Sequence, residues 1–250
     1  MAYQRILTIQ DISCVGQCSL TVALPILSAC GHETAALPTA VLSTHTGRFQ
    51  GYTFRDLTDD IPGICAHWER EGLDFSAVSA RQIALVRDVI RSRLRPGGVL
   101  IVDPAMADDG RLYSGFGTDV VDAMRTLCAE ADYILPNETE AALLAGLPYP
   151  EQAGSASEQI DCAYAEQLAA GAAAHAEQTV LLTGVSFEPG KTGVFLWRDG
   201  KSCYYAHEKS PCGGYGTGDV FASAFTGTLL NGRTAERAAR LAADYTARCA

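Results

Sequence analysis

The chain has 250 residues, 48% of them hydrophobic, and a formal net charge of −10. That length and apolar content exclude a disordered chain and leave room for one large domain with a sizeable core. An acidic chain without a basic stripe argues against nucleic acid and anionic membranes as partners, since phosphate-backbone binding needs clustered Lys and Arg.

The opening stretch, "MAYQRILTIQ", has no basic segment leading into a long apolar run. It therefore predicts a first strand over Arg5–Ile9 and not a secretory signal. A helical pattern follows over 18–30, then a strand at Thr34–Leu37 and a helix over 56–71. Next come a strand at Phe75–Val78 and a helix over 80–94, with Ser79 placed as its N-cap. A strand at Val99–Val102 precedes a helix over 117–130, and Tyr133–Leu135 precedes a helix over 138–145. The stretch "GLPYPEQAGSASEQ" reads as a linker, followed by a helix over 157–174 and a strand at Thr179–Leu182. Two further runs, Gly193–Trp197 and Ser202–Tyr205, are joined by Asp199-Gly200, the signature of an antiparallel hairpin. Helices over 218–231 and 234–248 complete the series.

Runs such as "GGVLIVD" and "TVLLTG" are apolar without alternation, as expected of parallel strands covered on both faces. The alternation of strands and helices predicts a three-layer α/β/α fold, with a mostly parallel central sheet and an antiparallel edge hairpin. No repeat or break in composition divides the chain, so residues 1–250 read as one domain. No apolar run approaches the ~18–20 residues that span a bilayer. Nine cysteines without a C-x-x-C pair fit reduced thiols in a cytoplasm better than a disulfide framework or a zinc site.

In open α/β sheets, ligands sit beyond the carboxyl ends of the strands. The residues there are Asp11 and Ser13, Asp103, Asn137 and Glu140, Thr183 and Gly184, and the glycine loop "SPCGGYGTGDVFASAF". That loop is not a P-loop, because Asp219 and Val220 stand where Lys and Ser/Thr belong, and it does not fit a dinucleotide fingerprint. Backbone N–H groups of Gly216, Thr217 and Gly218 at a helix start can form an anion hole. Asp219 beside them can accept a proton from an attacking hydroxyl, as phosphoryl transfer requires. The plainer alternative is a glycine-rich turn whose Asp219 is a first-turn acid favoured by the helix dipole. Asn137 and Glu140, three apart, can face one point or can form a capping box. The hard oxygen donors Asp103 and Glu140 suit Mg²⁺, which binds one or two carboxylates together with phosphates.

The set "GTGD" at 216–219, "NETE" at 137–140, "VDPAM" at 102–106 and "LLTG" at 181–184 resembles the ribokinase-like superfamily. The segments "IQDISCVGQCSLTVALPILSACG" and "LPTAVLSTHTG" are similar to its vitamin B6 branch, the pyridoxal/pyridoxine/pyridoxamine kinases. The resemblance covers nearly the whole chain. It implies ATP- and Mg²⁺-dependent phosphorylation of the 5′-hydroxymethyl group of a B6 vitamer, with Asp219 as base and Gly216, Thr217 and Gly218 holding the transferring phosphoryl group. It further implies Asp103 and Glu140 at Mg²⁺, directly or through water, with Asn137, Thr183 and Gly184 along the nucleotide. Asp11, Ser13, Thr39, Ser43 and His45 would meet the vitamer, and residues 104–116 would form a lid over ATP. A cytoplasmic homodimer is the implied state. The sister activity, a hydroxymethylpyrimidine (phosphate) kinase, shares the catalytic loop and is the alternative, as is a catalytically impaired nucleotide-binding homologue.

The sequence departs from this family at two places. Val78 passes at once into the next helical pattern, where the family carries a glycine-containing loop with an aromatic that touches the substrate. The last residues, "LAADYTARCA", stop inside a helical pattern without a cap. Both features read as residues missing from the chain.

Overall fold

The structure is a computed structural model, describing residues 4–47, 49–80, 84–113, 116–149, 160–210 and 214–250. Its elements in chain order are β1 (Arg5–Ser13), α1 (Leu20–Ala29), β2 (Glu33–Leu42), β3 (Phe54–Asp56), α2 (Ile61–Arg70), β4 (Phe75–Ala80), α3 (Ala84–Arg93) and β5 (Leu94–Val102). A small hairpin, β6 (Ala107–Asp108) and β7 (Arg111–Leu112), precedes α4 (Thr118–Cys128), β8 (Tyr133–Ile134), α5 (Glu138–Ala145) and α6 (Cys162–Ala172). The rest is β9 (Thr179–Val185), β10 (Lys191–Arg198), β11 (Lys201–Glu208), α7 (Thr217–Leu230) and α8 (Ala235–Cys249).

Nine strands form one sheet in the order β11-β10-β9-β8-β5-β4-β1-β2-β3. From β9 to β2 all neighbours are parallel. The two edges are antiparallel, at β10–β11 beside β9 and at β3 beside β2. The β10–β11 hairpin turns on Asp199 and Gly200, with φ 49° and 71°. This is the expected Asp-Gly turn with both central residues left-handed.

Side chains of the central strands point alternately into two cores. Leu100 and Val102, and Val180 and Leu182, face a cluster with buried residues of α2 to α6. Ile101 and Leu181 face the opposite way, against Phe221, Phe225, Ala238 and Ala242 of α7 and α8. Ile6 packs on Ala23 and Leu27 of α1 on that same side. Burial on both faces is why these strands are apolar without alternation.

Three expectations are corrected. The helix expected over 56–71 begins only at Ile61, because 54–56 pairs with β2 as an edge strand and 58–60 makes a 3-10 turn. Ser79 is not a helix cap. It is buried inside β4, in register with Thr8 of β1 and Ile101 of β5, since pairing on both sides outweighs a local capping preference. β4 runs on across Val78 and Ser79 to Ala80, beyond the strand end expected at Val78, and α3 is assigned from Ala84. Residues 81–83 and 150–159, which carry that junction and most of the linker-like stretch, lie outside the described residues.

The sheet order reverses at β1, whose neighbours are β2 on one side and β4 on the other. A crevice at the carboxyl ends of the strands next to such a reversal is where open α/β sheets bind ligands.

Candidate active site

A cleft of about 460 Å³ opens at this end of the sheet. Its walls include Asp103 after β5, Asn137 and Glu140 of the β8–α5 junction, Thr183 and Gly184 of β9, and Gly216, Thr217 and Gly218. These are the nucleotide and anion-hole residues expected from sequence, and the fold brings them to one cavity. Residues 211–213 of the glycine loop, Gly213 among them, lie outside the described residues.

Gly216 caps α7 with a φ of 80°. A Cβ there would lie 2.1 Å from the carbonyl oxygen of Gln17, so the loop after β1 and the start of α7 touch backbone to backbone. α7 presents its first-turn amides to the cleft, where its dipole favours an anion. Asp103 Oδ2 lies 3.9 Å from where a Cβ on Gly218 would sit, which puts this carboxylate beside the helix start. Asp219 is 1% exposed, and its Oδ2 accepts the backbone N–H of Ser19 at 2.9 Å.

Asn137 and Glu140 form the capping box of α5. Asn137 Oδ1 accepts the Glu140 N–H, and Glu140 Oε2 accepts the Asn137 N–H, each at 2.9 Å. Glu140 is buried, and its Oε1 also accepts the N–H of Met106 at 3.1 Å. Asn137 Nδ2 donates to the Ala107 carbonyl at 2.8 Å, and the Gly110 N–H reaches Thr139 Oγ1 at 2.9 Å. The expected lid segment is thus built on the β6–β7 hairpin, tied to the start of α5 at its base and at its turn, with residues 114–115 outside the described residues.

Asp103, Asp108 and Glu140 make the cleft wall acidic, and Lys209 is the only lysine or arginine among its described lining residues. Lys209 acts on Glu138, whose carboxyl burial pushes up to about 7 against the opposing pull of this lysine. Burial, then Glu140 and Asp103, push the Cys128 thiol far above its ordinary range. Among the described residues, no group of three His, Cys, Asp or Glu gathers to hold a metal. Asp103 and Glu140 therefore fit a cation only as part of a shell completed by a ligand's own oxygens. With three backbone N–H groups already on or near its oxygens, Glu140 suits a water-mediated place better than a direct one.

The expected vitamer residues lie outside this cleft's walls, at the ends of β1 and β2. Asp11 Oδ1 accepts the Ser19 hydroxyl at 2.8 Å, and its Oδ2 accepts the Ser13 hydroxyl at 3.2 Å. The buried Thr39 hydroxyl has no hydrogen-bond partner among the described residues. Ser43 Oγ accepts the Thr53 N–H at 2.9 Å and so closes the loop between β2 and β3. His45 is buried between rings, 5.1 Å from Phe49 and 4.9 Å from Tyr215, and its Nδ1 accepts the Gly47 N–H. Tyr215 belongs to the glycine loop, so the two halves of the site meet at this ring pair and at the Ser19–Asp219 bond.

Sequence reasoning missed Ser19, Tyr215 and Lys209. The run "SCVGQCS" after the first strand carried a signal, since Gly16 leaves room for the His45 ring: a Cβ there would fall 2.1 Å from His45 Cδ2.

A phosphomethylpyrimidine kinase family model matches residues 77–250. A pyridoxine/pyridoxal/pyridoxamine kinase of Bordetella bronchiseptica is 30% identical over 256 residues, covering 95% of this chain and 85% of that protein. The pyridoxal kinase structure from Lactobacillus plantarum superposes with a TM-score of 0.87 at 32% identity, covering 97% of this chain and 86% of that one. A Bacteroides thetaiotaomicron structure named for the phosphomethylpyrimidine kinases, in an orthorhombic form with pyridoxal, gives 0.84 at 33%, covering 97% and 85%. A relative 30% identical over 95% of this chain and a solved pyridoxal kinase that shares its fold show that the chain belongs to the pyridoxal kinase family of the ribokinase-like fold.

Proposed function

We propose that this chain transfers the γ-phosphoryl group of ATP to the 5′-hydroxymethyl group of pyridoxal, pyridoxine or pyridoxamine. It is a phosphotransferase with an alcohol acceptor. The observation that carries the reading is Asp219, a buried carboxylate in the first turn of a helix whose amides face an acidic cleft. Asp219 takes the hydroxyl proton as the acceptor oxygen attacks phosphorus and the bond to the departing ADP oxygen breaks. The Gly216, Thr217 and Gly218 backbone meets the charge on the equatorial oxygens of the moving group. Asn137, Thr183 and Gly184 line the nucleotide, with Lys209 near its phosphates. Asp11, Ser13, Thr39 and His45 meet the vitamer ring, and Ser43 shapes the loop that carries His45.

An anionic nucleotide against Asp103, Asp108 and Glu140 calls for a cation, and their hard oxygens suit Mg²⁺. Asp103 would hold it directly and Glu140 through water, and it would supply charge neutralisation at the phosphates. The chain acts as a single-domain homodimer in the cytoplasm. Exposed Phe54 on edge strand β3, with Val15 and Phe49 near the same end, gives apolar surface for a second copy. No helix among the described residues is long and apolar enough to cross a membrane.

The test is ATP consumption by purified protein with each of the three vitamers and with hydroxymethylpyrimidine. The expected result is turnover of the vitamers in preference to the pyrimidine; the reverse would reassign the acceptor. Asp219→Asn should lower kcat by a factor on the order of 10²–10⁴ and leave ATP affinity nearly unchanged. Unaltered turnover would remove Asp219 from the mechanism.

A further inference from the structure

Ser19 stands immediately before α1, where a serine hydroxyl ordinarily accepts an N–H of the first helical turn. It makes no such bond, and its backbone sits at φ 55° and ψ −132°. A residue with a Cβ is strained there and stays only when its surroundings impose it. Those surroundings are specific. The Ser19 N–H donates to Asp219 Oδ2 at 2.9 Å, its hydroxyl donates to Asp11 Oδ1 at 2.8 Å, and its carbonyl accepts the N–H groups of Val22 and Ala23 at 3.0 Å. The residue is 4% exposed. A capping hydroxyl has thus been diverted to one carboxylate, and a backbone amide in a costly conformation is aimed at another.

We propose that Ser19 is a positioning residue for the transfer, binding the Asp219 carboxylate and Asp11 into one unit through a single strained peptide. The inference rests on the reading of Asp219 as the base. A carboxylate at a helix start can turn about two side-chain bonds, and a charge-assisted N–H at 2.9 Å selects one orientation. The hydroxyl fixes the peptide that carries this N–H relative to Asp11, on the acceptor side of the site. Orientation of the base then depends on the same residue that orients an acceptor-binding group.

Ser19→Gly tests this, because glycine adopts positive φ freely and keeps the amide while losing the hydroxyl tether. The variant should keep the wild-type melting temperature and ATP KM. Its kcat should fall by a factor on the order of 10 or more, and the acceptor KM should rise, since small misplacements at a reacting centre cost up to about 10²-fold. Combining it with Asp11→Asn should cost less than the product of the single losses, as expected of residues acting through one contact. A residue that merely starts α1 would change melting and leave this split and this coupling unmoved. Should Ser19→Gly fail to fold, Ser19→Ala, which keeps the amide and the Cβ, carries the same expectation. Wild-type kcat and KM in a folded Ser19 variant, with Asp219→Asn inactive, would overturn this proposal alone. A wild-type chain that phosphorylates no acceptor, or an active Asp219→Asn, would remove the underlying function and the proposal with it.

Discussion

At Gly216 there is no space for a side chain, because the Gln17 carbonyl oxygen lies 2.1 Å from the Cβ position and the φ is 80°. Gly214, two residues earlier, is different: among the described residues its Cβ would meet only Thr217 Cγ2, at an ordinary 3.6 Å. Gly216→Ala should therefore destabilise by about 1–3 kcal/mol or more and depress kcat, while Gly214→Ala should leave urea midpoint and turnover near wild type. Equal behaviour of the two would show that the β1–α1 loop does not constrain the glycine loop. Cys128 offers a second residue-level check. Burial beside Glu140 and Asp103 keeps its thiol protonated, so iodoacetamide at mildly alkaline pH should spare it in native protein while labelling exposed Cys14 and Cys162. Mapped alkylation of Cys128 before unfolding would contradict that burial. The place of the glycine loop at a cleft was legible because few residue types suit a close backbone turn at a helix start. Ser19 was not, since its proposed role comes from a backbone angle and from two carboxylates, one of them 200 residues away.

The β8–α5 junction ties local capping to the geometry of the cleft. Asn137 serves twice, taking the Glu140 amide and donating to the Ala107 carbonyl at the base of the β6–β7 hairpin. Asn137→Ala should lower stability by about 1–2 kcal/mol from the cap and also raise the KM for ATP, through the loosened hairpin. Asn137→Asp keeps the cap but loses the Nδ2 donor, so it should recover most of the stability and little of the KM. Thermal melts and ATP titrations of the pair separate the two effects. The capping-box spacing was plain in "NETE", and the alternative of a shared facing point turned out to be compatible with it, because both residues also line the cleft. β3 and the end of β4 were less legible. Three exposed residues of β3 carry no pattern of their own, and Ser79 mimics a cap until its neighbours β1 and β5 are known.

Across the whole molecule, the two cores clamp the sheet and leave its carboxyl edge for chemistry. The carboxylates proposed to hold Mg²⁺, Asp103 and Glu140, line the cleft and belong to neither core. EDTA should therefore abolish turnover, excess Mg²⁺ should restore it, and the melting temperature without nucleotide should not move. A fall of many degrees in EDTA would mean that a metal belongs to the fold.

The bond between Ser19 and Asp219 joins positions 200 residues apart. A ribosome extends a chain at about 5–20 residues per second and lets its early parts fold first. For roughly 10–40 s at that pace, Ser19 has been made and its eventual partner has not yet been translated. Until α7 is made, the nascent chain lacks the carboxylate proposed as its proton acceptor, and with it the proposed reactivity.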